Sequence, residues 1–139
     1  MSETATFTPY KLADNEEYMS EGQLAHFKQI LQGWKTELLT EAERTKNYIY
    51  EETNTMADIN DRATQEEEFA LALRTRDRER KLVRKIDKSL LEIDSGDYGY
   101  CETCGIEIGL RRLEARPTAT QCIDCKTLSE IKEKQTQGH

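Results

Sequence analysis

Long apolar runs are missing from this sequence. Nowhere do eighteen or more apolar residues follow one another, and no basic stretch leads into an apolar one at the N-terminus, so neither a membrane span nor a secretory signal is expected. The expected location is the cytoplasm. Apolar material is scarce altogether: hydrophobic residues make up 36 % of 139 residues against 34 % charged, and the mean hydropathy is -0.84. That is too little to fill one globule of this length, so a small domain carrying an elongated, solvated element is expected. Positive charge is also in deficit, with 20 Lys and Arg against 27 Asp and Glu and a net charge of -7. An ordinary duplex-DNA binder draws its affinity from neutralising phosphates, so the expected partner is protein rather than DNA. Histidine occurs only at His26 and His139. No Gly-rich phosphate loop, His-bearing triad or His-ligated metal pair is therefore present, and an enzyme is not expected. His26 reads as a surface or rim residue.

What the sequence does contain is helical periodicity. Residues 1–19 show no sustained period and read as a flexible tail. Ser20 followed by Gln23 is a capping-box signature, after which Leu24, Phe27, Leu31, Trp34 and Leu38 recur at three- and four-residue steps. One amphipathic helix is expected from there to about residue 52, ended by Thr53-Asn54-Thr55. A second runs from about residue 60 to Ile93, with Phe69, Leu73, Val83, Ile86, Leu90 and Ile93 as its stripe, interrupted by Arg76 and Arg80. Two long helices joined by a short connection favour an antiparallel hairpin over residues 20–94 with a tip near 53–63. The stripes are too irregular to demand a two-chain coiled coil, so the expected state is a monomer. Ser95-Gly96-Asp97 then breaks the helix and opens a compact module over 95–134, closed by a short C-terminal helix and a frayed tail over 135–139. The fold class is thus mainly α: a long antiparallel helical hairpin plus a small four-cysteine zinc-finger module.

Cys101-x-x-Cys104 and Cys122-x-x-Cys125 stand seventeen residues apart, the two-knuckle spacing of a four-cysteine zinc site. Cytoplasmic thiols stay reduced, which favours metal over disulfides. Two residues between sulfurs let one tight turn present both to a tetrahedral ion, and Gly105 frees the backbone to close that turn. Four protein ligands leave no position for water, so one structural zinc per chain is expected, with redox sensing or a thioredoxin-like dithiol as alternatives.

Charge is segregated along the hairpin. Glu51, Glu52, Asp58, Asp61, Glu66, Glu67 and Glu68 crowd the connection, whereas Arg74, Arg76, Arg78, Arg80, Lys81, Arg84, Lys85 and Lys88 lie nearer the cysteines. Most of these charges suit a solvated helix surface with i to i+4 pairs. Asp58 and Asp61 suit either the cap and first turn of the second helix or an acidic tip acting on a partner's basic or metal-containing site. Lys85, Arg116 and Lys126 could converge where hairpin and zinc module meet and hold phosphates, although unpaired surface bases are common.

The runs Gln65-Glu66-Glu67-Glu68-Phe69 and Arg76-Asp77-Arg78-Glu79-Arg80-Lys81-Leu82, the module from Gly99-Tyr100-Cys101 through Ile106-Glu107-Ile108-Gly109 to Arg111-Arg112-Leu113-Glu114-Ala115-Arg116-Pro117, and Cys122-Ile123-Asp124-Cys125-Lys126 resemble the DksA family. The resemblance covers about residues 16–134. It implies a factor that docks at the rim of the secondary channel of bacterial RNA polymerase, projects its coiled-coil tip toward the active site and destabilises promoter complexes without binding DNA directly. It also implies action with the alarmone ppGpp in the stringent response, including at rRNA promoters. The family's tip motif Asp-x-x-Asp-x-Ala is matched by Asp58, Asp61 and Ala63, with Ile59 where many relatives have Pro. The family's ppGpp contacts, made between factor and polymerase, fall on Lys85, Arg116 and Lys126. Two other readings compete: a Gre-like transcript-cleavage factor, against which the four-cysteine module argues, and a structural zinc-ribbon adaptor or nucleic-acid binder with the hairpin as spacer.

Overall fold

A computed structural model describes residues 8–55 and 62–137. Four helices follow one another: α1, Glu21–Thr55; α2, Arg62–Ser95; α3, Leu110–Ala115; and α4, Ile123–Gln137. α1 and α2 are 35 and 34 residues long, or about 50 Å each at the α-helical rise. They pack antiparallel. Lys28 pairs with Asp94 at 3.8 Å and Lys35 with Asp87 at 2.6 Å, so an advance of seven residues on α1 (28 to 35) meets a retreat of seven on α2 (94 to 87). These partly exposed pairs fix the register more than they stabilise, each contributing about 0–1 kcal/mol.

Helix starts and stops follow their local chemistry. Ser20 Oγ accepts the Gln23 N–H at 3.3 Å, while Gln23 Oε1 accepts the N–H of Met19 at 2.7 Å, a capping box reaching one residue further back than usual. α1 continues through Thr53-Asn54-Thr55 rather than ending before that cluster, because their intrinsic cost inside a helix is only some tenths of a kcal/mol, or roughly 0.7 at most per residue. α2 runs two residues past Ile93 and ends where the Asp97 and Tyr98 N–H groups both turn back to the Glu92 carbonyl, at 2.9 and 3.1 Å.

The core sits at one end of the hairpin. Phe27, Ile30, Leu31 and Trp34 of α1 and Ile86 and Ile93 of α2 pack with Tyr98, Cys101, Ile108, Leu113 and Cys122. Hairpin base and cysteine module therefore share one apolar cluster, and each fully buried large side chain contributes about 1.5–3 kcal/mol. Beyond Trp34 on α1 and before Ile86 on α2, no described side chain is buried. Leu73, expected in the stripe, is 39 % exposed. Leu82, outside the expected stripe, packs against the core instead.

The segment before α1 differs from the free tail that its irregular sequence suggested. The backbone N–H of Tyr10 donates to Glu114 Oε2 at 2.8 Å. The Tyr18 hydroxyl donates to the Gly99 carbonyl at 2.7 Å and accepts the Gly109 N–H at 3.0 Å. The fully buried Gln23 donates its amide to the Glu16 carboxylate and the Glu17 carbonyl. That amide first, against an opposing effect of burial, and then the Tyr10 and Ser20 hydroxyls hold the Glu16 carboxyl below the usual carboxylate range. Residues 10–20 are thus stitched to the base of the fold by polar contacts that local periodicity does not report.

Candidate metal centre and basic cleft

The two knuckles are built by short-range backbone chemistry. The Gly105 N–H donates to the Cys101 carbonyl at 2.9 Å, closing the Cys101–Cys104 turn, and the Cys101 N–H donates to the Ile106 carbonyl at 2.8 Å. Gly105 adopts φ +81, a left-handed conformation that a Cβ would strain. An isolated antiparallel bridge pairs Tyr100 with Glu107. The Glu102 N–H donates to the Thr120 carbonyl at 2.8 Å, joining the first knuckle to the segment that leads into the second. Cys122 immediately precedes α4, whose first turn carries Cys125.

The sulfur atoms of Cys101, Cys104, Cys122 and Cys125 all lie within 4.8 Å of one another, and those of Cys104 and Cys122 are 3.7 Å apart. Tetrahedral zinc with sulfur ligands at about 2.3 Å has edges of about 3.8 Å, whereas a disulfide requires about 2.05 Å. The donor set fits zinc. Despite burial, N–H groups turned toward the Cys101 sulfur pull that thiol down to about 6, while the neighbouring Cys122 and Cys104 sulfurs, together with burial, push Cys125 up to about 12. Four thiolates so close together need a cation between them. Cys101 and Cys122 are buried, Cys125 is half-buried and Cys104 is exposed, so the ion would sit at the edge of the module.

Around this centre the structure adds contacts that the sequence did not reveal. Tyr98, 1 % exposed, donates its hydroxyl to the Pro117 carbonyl at 2.7 Å and ties the exit of α2 to the inter-knuckle segment. Gly99 adopts φ +91, a left-handed conformation that favours glycine, and a Cβ there would stand 2.9 Å from the sulfur of Met19, so the N-terminal segment lies close against the first knuckle. Buried Glu114 of α3 gathers the Tyr10 N–H, His26 at 3.4 Å and Arg111 at 3.3 Å. His26 lies at the rim of the core, its ring against those of Tyr10 and Phe27.

Replacing Tyr18 with Phe should cost about 1–3 kcal/mol, since it leaves a carbonyl and an N–H without their shared partner in a partly buried site. Urea unfolding checks this. An unchanged midpoint would mean that residues 10–20 do not contribute to the fold.

The basic residues converge. Lys85 and Lys88 of α2, Arg112 of α3, and Arg116 and Lys126 line a cleft of about 260 Å³ between the hairpin and the module, with Thr118 and Gln121 in its wall. Lys85, Arg116 and Lys126, distant in sequence, therefore share one cleft, and no acidic side chain lines it. Lys88, in the sequence only one member of the basic stretch, and Arg112 join this trio; their signal is positional, one helical turn after Lys85 and four residues before Arg116. Asp58 and Asp61 lie outside the described residues, as does the side chain of Ala63, so the tip carries no geometry here.

The comparisons with known proteins cover both parts of this architecture. Residues 23–93 match the family described as DnaK suppressor protein DksA, N-terminal domain, and residues 96–130 match the prokaryotic dksA/traR C4-type zinc finger. The chain is 58 % identical over 130 residues to the RNA polymerase-binding transcription factor DksA of Escherichia coli (strain K12), covering 94 % of this chain and 86 % of that protein. To the protein of the same name in Haemophilus influenzae it is 56 % identical, covering 94 % and 90 %. Among solved structures, transcription factor DksA2 from Pseudomonas aeruginosa is similar with a TM-score of 0.79 at 39 % identity, covering 84 % of this chain and 90 % of that one. Helical hairpin, four-cysteine centre and sequence agree, and the chain belongs to the DksA family.

Proposed function

We propose that this chain is a transcription factor, not an enzyme, that binds bacterial RNA polymerase at the rim of the secondary channel, extends its hairpin toward the active site and shortens the lifetime of sensitive promoter complexes together with ppGpp. The observation that carries this reading is the 58 % identity, across both hairpin and zinc finger, to a protein named for binding RNA polymerase. The architecture supports it. Two helices of about 50 Å reach well beyond the module that anchors them, and the anchored end carries the apolar core and the basic cleft. The net charge of -7 favours a protein partner over direct DNA binding. Among the described residues no helix is long and apolar enough to cross a membrane; action in the cytoplasm as a monomer is part of the proposal.

Each part has a task in this reading. One zinc ion held by Cys101, Cys104, Cys122 and Cys125 supplies a structural cross-link, and its ligands hold the inter-knuckle segment against α2. Asp58, Asp61 and Ala63 form the tip that acts on the promoter complex. Lys85, Arg116 and Lys126 offer charged donors to the phosphates of ppGpp, the Arg as a planar fork and the lysines as point charges. Polymerase completes that site.

The test is the lifetime of a sensitive promoter complex with purified polymerase, measured with and without this protein and ppGpp. Lys85→Ala, Arg116→Ala and Lys126→Ala should each lose most of the ppGpp-dependent enhancement. Full enhancement in all three would sink the composite site, and no effect of the unaltered protein on the lifetime would sink the functional reading.

A further inference from the structure

We infer that Lys88 is a fourth phosphate-binding cation of the basic cleft and that Glu102 is its built-in counter-ion, which the nucleotide must displace. This rests on the reading of the cleft as a ppGpp site and sets how readily that site responds. Lys88 follows Lys85 by three residues on α2, so both face the cleft from one side of the helix. Its ammonium lies 3.5 Å from Glu102 Oε2, with 58 % and 54 % of the two side chains exposed. A pair this exposed is weak and exchanges readily with a competing anion.

Glu102 is nevertheless held in place by its backbone. It stands between the ligands Cys101 and Cys104, and its N–H is tied to the carbonyl of Thr120, itself a wall residue of the cleft. The carboxylate is thereby kept at the edge of a cleft whose own lining contains cations and no acid. Arg112 differs from Lys88, because its Nε is committed to the Gln121 carbonyl at 3.0 Å and braces the wall. Glu92, one turn along α2, is another carboxylate in range of Lys88. A pyrophosphate group presents more charge than one carboxylate and draws Lys88 away from Glu102. With Glu102 neutral, the same cation would be available from the start.

The test is a ppGpp titration of promoter-complex lifetime with polymerase and full-length protein, the zinc content of each variant confirming an intact module. Glu102→Gln should lower the half-effective ppGpp concentration by about two- to fivefold, the range that one exposed ion pair supplies. Lys88→Ala should raise it, and the double variant should match Lys88→Ala alone. A shift by Glu102→Gln that persists without Lys88, or an equal shift from Glu92→Gln, would show a diffuse charge effect and overturn the proposal. An unshifted Glu102→Gln in a system where Lys85→Ala loses the response overturns the counter-ion alone. Absence of any ppGpp response in the unaltered protein overturns this inference and the nucleotide site together.

Discussion

Cys122→Ser is expected to abolish zinc binding and to unfold the region around residues 98–134. Cys122 is buried within the shared core, and its sulfur stands 3.7 Å from that of Cys104. The module has few apolar side chains of its own; Tyr98, Ile108, Leu113 and Pro117 are its buried non-cysteine contributions. Structural zinc supplies apparent binding free energies of about 10–16 kcal/mol in small cysteine modules. That matches or exceeds the whole stability of a typical domain, about 5–15 kcal/mol. Tyr98 packs against Phe27, their ring centroids 5.7 Å apart, so damage should spread into the hairpin base. Elemental analysis under reducing conditions, paired with amide exchange over residues 98–134, reads both effects. Native-like protection in a zinc-free Cys122→Ser protein would remove the metal from the folding of the module and raise oxidative sensing in rank.

Asp58→Asn and Asp61→Asn together are expected to separate binding from action. Asn nearly preserves the shape of Asp and still caps helices, so α2 should lose at most about 1 kcal/mol. What disappears is two negative charges on a slender element with little apolar area for affinity. A narrow acidic tip is poorly suited to anchoring by apolar burial, whereas under the proposed function its charge would perturb a loaded active site. Polymerase affinity should therefore persist while the shortening of promoter-complex lifetime is lost, both measured on one preparation. Undiminished activity of the double variant would leave both carboxylates with a capping role alone.

The features legible in the sequence are those encoded locally. The α1 stripe from Leu24 to Leu38, the capping pair Ser20 and Gln23, and the Cys-x-x-Cys spacing each depend on residues a few positions apart, where backbone geometry turns sequence separation into distance. The N-terminal segment was not legible because its partners are remote: Tyr10 meets Glu114 across 104 residues, and Tyr18 meets Gly99 and Gly109 across 81 and 91. α3 escaped because six residues give too little periodicity to register. The cleft fell between these cases. Position along the chain suggested Lys85, Arg116 and Lys126 and the resemblance gave them a ligand, but only the packing of α2 against the inter-knuckle segment puts Lys88 and Arg112 beside them.

The one-sided burial of the hairpin makes it a cantilever. Its clamp is the stretch where Gln23 to Trp34 of α1 and Ile86 to Ile93 of α2 lie in the core. Further out, the helices are joined through half-buried contacts and exposed ones such as Tyr48 with Glu68 at 3.2 Å. Midway, a carboxylate oxygen of Glu79 is buried without a hydrogen-bond partner, and burial first and then nearby Glu41 raise the pKa of that group. A beam clamped at one end deflects most where it is least supported. Under the proposed function, a channel around the hairpin would steer its outer part at small cost while the root, with its cleft and four cysteines, keeps its geometry. Aim and grip become mechanically independent.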